Sequence, residues 1–129
     1  MNEHIVRSYG DELKQLTSDV TRLGGLAEAQ VSDALDALSR RDVALAKSVV
    51  ARDQKLDDLQ AEIERATFRL IALRQPMAVD LRHAVAALKL SMTLERCGEA
   101  AVMRTFATTL VWRESRSSCR AESWTRTVA

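Results

Sequence analysis

The sequence predicts an all-α protein, an antiparallel up-down-up three-helix bundle with long helices. Three observations carry that prediction. Ala, Leu and Arg dominate, with only four glycines and one proline among 129 residues, so helix is favoured almost throughout. Apolar residues recur at spacings of three and four in three separate stretches. Short polar connections, Ser39-Arg40-Arg41-Asp42 and Gln75-Pro76, divide those stretches.

The first helix is placed at about residues 3–39, on a stripe of Leu13, Leu16, Val20, Leu23, Ala27, Val31 (or Gln30), Ala34 and Leu38. Gly24-Gly25 interrupts its propensity by roughly 1–2 kcal/mol. The pair marks a slight bend, a close helix contact or a break into two helices. Asp42 is suited to cap the second helix by accepting its first free N–H groups. That helix runs over about 43–74, with Val49, Leu56, Leu59, Ile63, Ala66, Leu70 and Leu73 as its stripe. Pro76 resists continuation and suits the first turn of a new helix, so the third begins near Met77. Its stripe is Leu81, Val85, Leu88, Met92, Glu95, Glu99 and Val102. Helices of this size are each roughly 45–55 Å long, enough to share one continuous core.

The chain divides into a bundle over 1–104 and a divergent tail over 105–129. The tail is rich in Thr, Ser and Arg and has no usable period beyond Trp112, which predicts a solvated, partly disordered end. Phe106, Leu110 and Val111 can extend the third helix a few turns. A formal charge of +1, from 19 basic and 18 acidic residues, exerts no broad pull toward nucleic acid or anionic membrane. No apolar run approaches the ~18 residues of a spanning helix. The first residues contain no secretion signal, and Cys97 and Cys119 form no metal or redox spacing. A reduced, cytoplasmic protein without direct nucleic-acid binding is expected, reaching a membrane only through partners.

Two acid pairs carry what chemistry the sequence offers. Asp53 with Asp57, and Glu95 with Glu99, are each spaced four apart on a helix, which sets two carboxylates on adjacent turns. Counting outward from the turn at 75–76 puts Asp57 level with Glu95, and Asp53 level with Glu99. Four acids at one height repel one another unless a cation relieves them. Hard or borderline cations, such as iron, manganese, zinc or magnesium, accept such oxygen ligands. The plainer reading is a solvated acidic face, with Arg96 or Arg52 as counter-charges. A di-iron enzyme is not expected, because no Glu-x-x-His motif is present and the two histidines, His4 and His83, read as a surface and a bundle-edge residue. No phosphate loop or nucleophile elbow occurs, so no enzyme is expected. Asp80 falls where a negative charge favours the start of a helix, and Arg82 is placed to pair with a neighbouring helix.

Read together, Asp53-Gln-Lys-Leu-Asp57, Glu62-Ile63-Glu64, Gln75-Pro76-Met-Ala-Val-Asp80-Leu81-Arg82 and Leu94-Glu95-Arg96-Cys97-Gly98-Glu99 resemble, in order and gap, the N-terminal half of the PhoU family of phosphate-transport accessory proteins. The resemblance covers about residues 1–103. It implies a cytoplasmic, all-helical regulator that dampens the phosphate-starvation response. Such a regulator contacts the ATPase of a phosphate ABC transporter and a sensor histidine kinase. It also implies metal ligands at Asp53, Asp57, Glu95 and Glu99, with Asp80, Arg82 and Arg96 holding the bundle together or forming a docking face. Glu99 stands where the family usually has aspartate, one methylene longer. The family's second bundle is missing, and the tail beyond Val102 does not match. A frameshifted or truncated gene product explains both. The bundle face left uncovered then favours a homodimer. The alternative function is a helical interaction or metal-binding module without regulatory activity.

Overall fold

The computed structural model describes residues 2–127 by their backbone and residues 9–113 by their side chains. Helix α1 spans Asn2–Arg40, α2 spans Val43–Arg74 and α3 spans Ala78–Thr127. Each packs on both others to a similar extent, as expected of an up-down-up three-helix bundle. Among the described residues, no helix is long and apolar enough to cross a membrane.

The turns follow local chemistry. Asp42 caps α2: its carboxylate accepts the Leu45 N–H at 3.0 Å. Arg41, with a φ of 53°, reverses the chain just before that cap. Gln75 ends α2 in the left-handed conformation, at a φ of 45°, and its N–H donates to the Ile71 carbonyl at 3.2 Å. A non-glycine residue in that conformation is uncommon. Here the proline that follows already excludes helical continuation. Gly24-Gly25 does not break α1, which is one helix with no glycine at positive φ. A Cβ at Gly24 would lie 3.8 Å from Leu94 on α3, an ordinary contact, and one at Gly25 would meet nothing within 4 Å, so neither glycine is required by a close helix approach.

The core has two apolar blocks. Leu16, Leu23, Ala27, Leu56, Leu59 and Ile63 form the larger, and Ala34, Val49 and Val102 the smaller. Side chains drawn from all three helices fill both regions. Outside the core, Arg52 pairs with Asp33 and Arg74 with Glu12, lacing α2 to α1 near its two ends.

The inward seams differ from the sequence reading in rotation. On α1, Gln30 and Ala37 are buried, not Val31 and Leu38. On α2, Ala46 and Thr67 are buried, whereas Leu73 is 71% exposed beside the turn. On α3 the buried seam is Ala84, Ser91, Gly98, Val102 and Thr105, and Met92 points outward at 51% exposure. The physical reason is hydroxyl self-satisfaction. Ser91 donates to the Leu88 carbonyl, Thr105 to that of Ala101 and Thr67 to that of Ile63, each at 2.8 Å. With its hydrogen bond returned to its own helix, a hydroxyl side chain packs as a small residue. Small residues on the seam then let the helix axes come close.

The helix assignment of α3 continues to Thr127, past Trp112 where the sequence period lapses. The tail proposed for residues 105–129 falls largely outside the described side chains, as does His4. His83 is exposed, in keeping with an edge position.

Candidate functional site

The site begins with the residue that the α1 stripe offers as the alternative to Val31. Gln30 occupies a core position on α1 and is only 5% exposed. Its amide Nε2 donates to Asp53 Oδ1 on α2 at 2.7 Å. A buried amide without a partner is costly, so this bond fixes the Asp53 carboxylate as well as satisfying Gln30. Gly98, on α3, completes the level. A Cβ there would come within 2.8 Å of Leu56 Cδ2 and 3.6 Å of Gln30 Nε2. Glycine therefore permits an approach of α3 that any side chain would obstruct.

That approach brings the two acid pairs together on one flank of the α2–α3 contact. Asp57 is half-buried, and its pKa is raised, first by burial and then by the charges of Asp53, Glu99 and Asp58. Glu95, also half-buried, has its pKa raised by burial, then by Glu99, Asp57 and Asp53, with Arg96 acting in the opposite sense. The four carboxylates proposed from the sequence thus sense one another across two helices. The sequence carries Gln30 only as the alternative to Val31 and Gly98 only as a helix glycine that lets a ligand or a neighbouring helix approach closely; neither is assigned from the sequence to holding Asp53. A lone amide and a lone glycine on otherwise apolar seams were the available signals.

Of the two expected counter-charges, Arg96 acts on Glu95 and Arg52 is elsewhere. Arg52 is engaged with Asp33 on α1 rather than with the acid pairs. Among the described residues, neither Asp57, Glu95 nor Glu99 forms an ion pair. The donor set is oxygen only, the kind that hard or borderline cations accept; burial and the neighbouring acids raise the Asp57 and Glu95 pKa values, and Arg96 partly offsets the rise at Glu95. Among the described residues no group of three or more acidic, histidine or cysteine side chains is arranged so that it could hold a metal ion.

The remaining candidates lie apart. Asp80 is half-buried in the first turn of α3. It faces Tyr9 of α1, whose phenol pKa is raised by burial and by the Asp80 charge. The Tyr9 hydroxyl is buried without a well-formed hydrogen bond among the described residues. Arg82 and Arg96 are both exposed, and neither forms an ion pair among the described residues. Cys97 is an exposed free thiol.

Comparison with known proteins places these residues in a family. The model of the PhoU domain matches residues 20–103. A phosphate-specific transport system accessory protein PhoU homolog of Caulobacter vibrioides is 68% identical over 101 residues, covering 78% of this chain and 44% of that protein. A homolog from Xylella fastidiosa is 44% identical over 100 residues, covering 78% of the chain and 41% of its own length. The accessory protein PhoU of Serratia marcescens is 39% identical over 101 residues, covering 78% and 42%. The chain thus spans less than half the length of these relatives. No solved structure matches.

Proposed function

This chain belongs to the PhoU family, and on that footing we propose that it is a non-catalytic regulator of phosphate uptake and phosphate-starvation signalling in the cytoplasm. The observation that carries the reading is the coincidence of the family match with the acid site. The match over residues 20–103 encloses both acid pairs, the Gln30–Asp53 bond and Gly98. The proposed action is by contact with the ATPase of a phosphate transporter and with a sensor histidine kinase. Arg82, exposed beside the α2–α3 turn, is available to such a partner.

Asp53, Asp57, Glu95 and Glu99 are the proposed ligands of iron, manganese, zinc or magnesium. A bound cation would neutralise the site and tie α2 to α3. The protein's own part is to hold Asp53 from behind through Gln30 and to bring Glu95 and Glu99 to it across Gly98. A second reading, an interaction or metal-binding module without regulatory activity, rests on the two acid pairs alone.

A deletion strain carrying a phosphate-regulated reporter separates the two. The regulatory reading expects the reporter to be switched on in phosphate-rich medium by the deletion, and switched off again by this chain alone. A reporter indifferent to the deletion contradicts it. Derepression that this chain cannot reverse, although the chain is present and folded, favours the module.

A further inference from the structure

Helix α3 carries a row of cations on the side turned away from the bundle. Its buried seam includes Ala84, Ser91 and Gly98, seven residues apart. Arg82, Lys89 and Arg96 each stand two residues before a member of that seam. Two residues turn a helix by about 200°, so these three basic side chains point nearly opposite to the core. Arg104, two residues after the buried Val102, continues the row. All four are exposed, and none forms an ion pair among the described residues. The row is about 33 Å long, at a rise of ~1.5 Å per residue.

No acid lies on this face of α3. Between residues 82 and 113 the acids are Glu95 and Glu99 alone. Glu95 is half-buried on the flank turned to the acids of α2, and Glu99 follows it on the next turn of that flank. Arg96 lies at the edge of the row nearest to them, and its charge acts on Glu95. Cations seven residues apart are separated by about 10 Å, close to one Debye length at physiological salt. They repel one another weakly and add together toward an anionic surface that spans them.

The residues between the cations indicate which anionic surface fits. Ala86, Thr93 and Ala100 are also exposed and seven apart. They offer no aromatic ring or amide to a nucleic-acid base. They offer no large apolar side chain to anchor the face in a bilayer interface. Their small size does let another helix lie close. A seven-residue repeat is the one that a second helix matches, since it returns a side chain to the same face every two turns.

We propose that the outward face of α3 docks an acidic helix of a partner protein, whose carboxylates recur every seven residues and pair with Arg82, Lys89 and Arg96. Arg104 extends the contact toward the C-terminal end of the helix. This surface deepens the regulatory reading, on which it rests for there being a protein partner. Exposed ion pairs set register and association rate more than affinity, so a weak, salt-sensitive complex is expected.

The test uses the full chain in low-salt buffer with chelator and a labelled synthetic probe, an alanine-rich helix of three heptads with glutamates seven residues apart. Fluorescence anisotropy is expected to show saturable binding that weakens as salt is raised. A peptide of the same composition, with its glutamates scattered round the helix, is expected to bind about tenfold more weakly. R82E/K89E/R96E is expected to lose about tenfold in affinity for the ordered peptide and to keep its helical signal, since all three side chains are exposed. A peptide with lysines in place of the glutamates is expected to bind that variant more tightly than the wild type. No saturable binding of the ordered peptide by the wild type overturns the proposal. So does equal binding of the ordered and scattered peptides, or an unchanged affinity in the folded triple variant. Tighter binding to a duplex DNA oligomer or to phosphatidylserine vesicles than to the ordered peptide also overturns it. No phosphate or transporter enters the assay, so failure here leaves the reporter result of the regulatory reading untouched.

Discussion

Two levels of the same bundle are built on opposite terms. The block around Leu23, Leu56 and Ile63 is large, aliphatic and closed. One step further along, at Gln30, Asp53 and Gly98, the seams carry an amide, a carboxylate and a residue with no side chain. The first level is what the hydrophobic effect alone would produce. The second gives up apolar area and holds acids side by side, against the interest of stability. The contrast is what the proposed binding role requires: a polar level carried by the stability of the neighbouring aliphatic block.

The largest effect should come from the aliphatic level. Leu56→Ala removes a side chain that is 1% exposed and touches both the core and Gly98. A loss of about 2–5 kcal/mol is expected in denaturant unfolding. A loss well under that range would mean that the block is not the main support. Gly98→Val comes next. Its Cβ would press on Leu56, and overpacking of this kind costs about 1–3 kcal/mol. If the variant is as stable as the wild type, α3 is not held close by the glycine.

The Gln30–Asp53 bond sharpens the comparison further. Gln30→Leu alone should cost about 1 kcal/mol, because Asp53 loses its donor while half-buried. The double variant Q30L/D53L should recover that loss, since both polar groups then leave together. A double variant less stable than the single would show that the polar level supports the fold directly.

The smallest expected effect is a pH dependence. Asp57 and Glu95 have folded-state pKa values above their ordinary ones. Between the unfolded and folded values the native state binds more protons than the unfolded chain. Stability contributed by these groups is therefore lost as pH rises through that window and regained as pH falls through it. Metal-free protein should melt at a higher temperature in mildly acidic buffer than at neutral pH, and Glu95→Gln should flatten the rise. A melting temperature that only falls on acidification would contradict the assigned direction.

Much of this arrangement is legible in the residues. Helix number and turns follow from the apolar periods, the Asp42 cap and Pro76, and the acids of α2 and α3 lie near enough for their charges to act on Asp57 and Glu95. The rotation of α3 is less legible. Hydrophobicity favours Met92 over Ser91 for the interior, yet the close approach of three helices selects Ala84, Ser91 and Gly98 by size. Gln30 competes with Val31 for the same reason. On apolar grounds valine is the better core residue, and only the facing Asp53 on another helix makes the amide fit. Such pairings across helices are invisible to a pattern read along one helix.

The central claim is that two acid pairs on different helices make one cation site. The most direct test is a calorimetric titration of metal-free protein with manganese or zinc, comparing the wild type with D53N/D57N and with E95Q/E99Q. The account predicts saturable binding by the wild type and its loss in both variants, whichever helix is altered. Binding that survives removal of either pair, or no binding by the folded wild type, would contradict it.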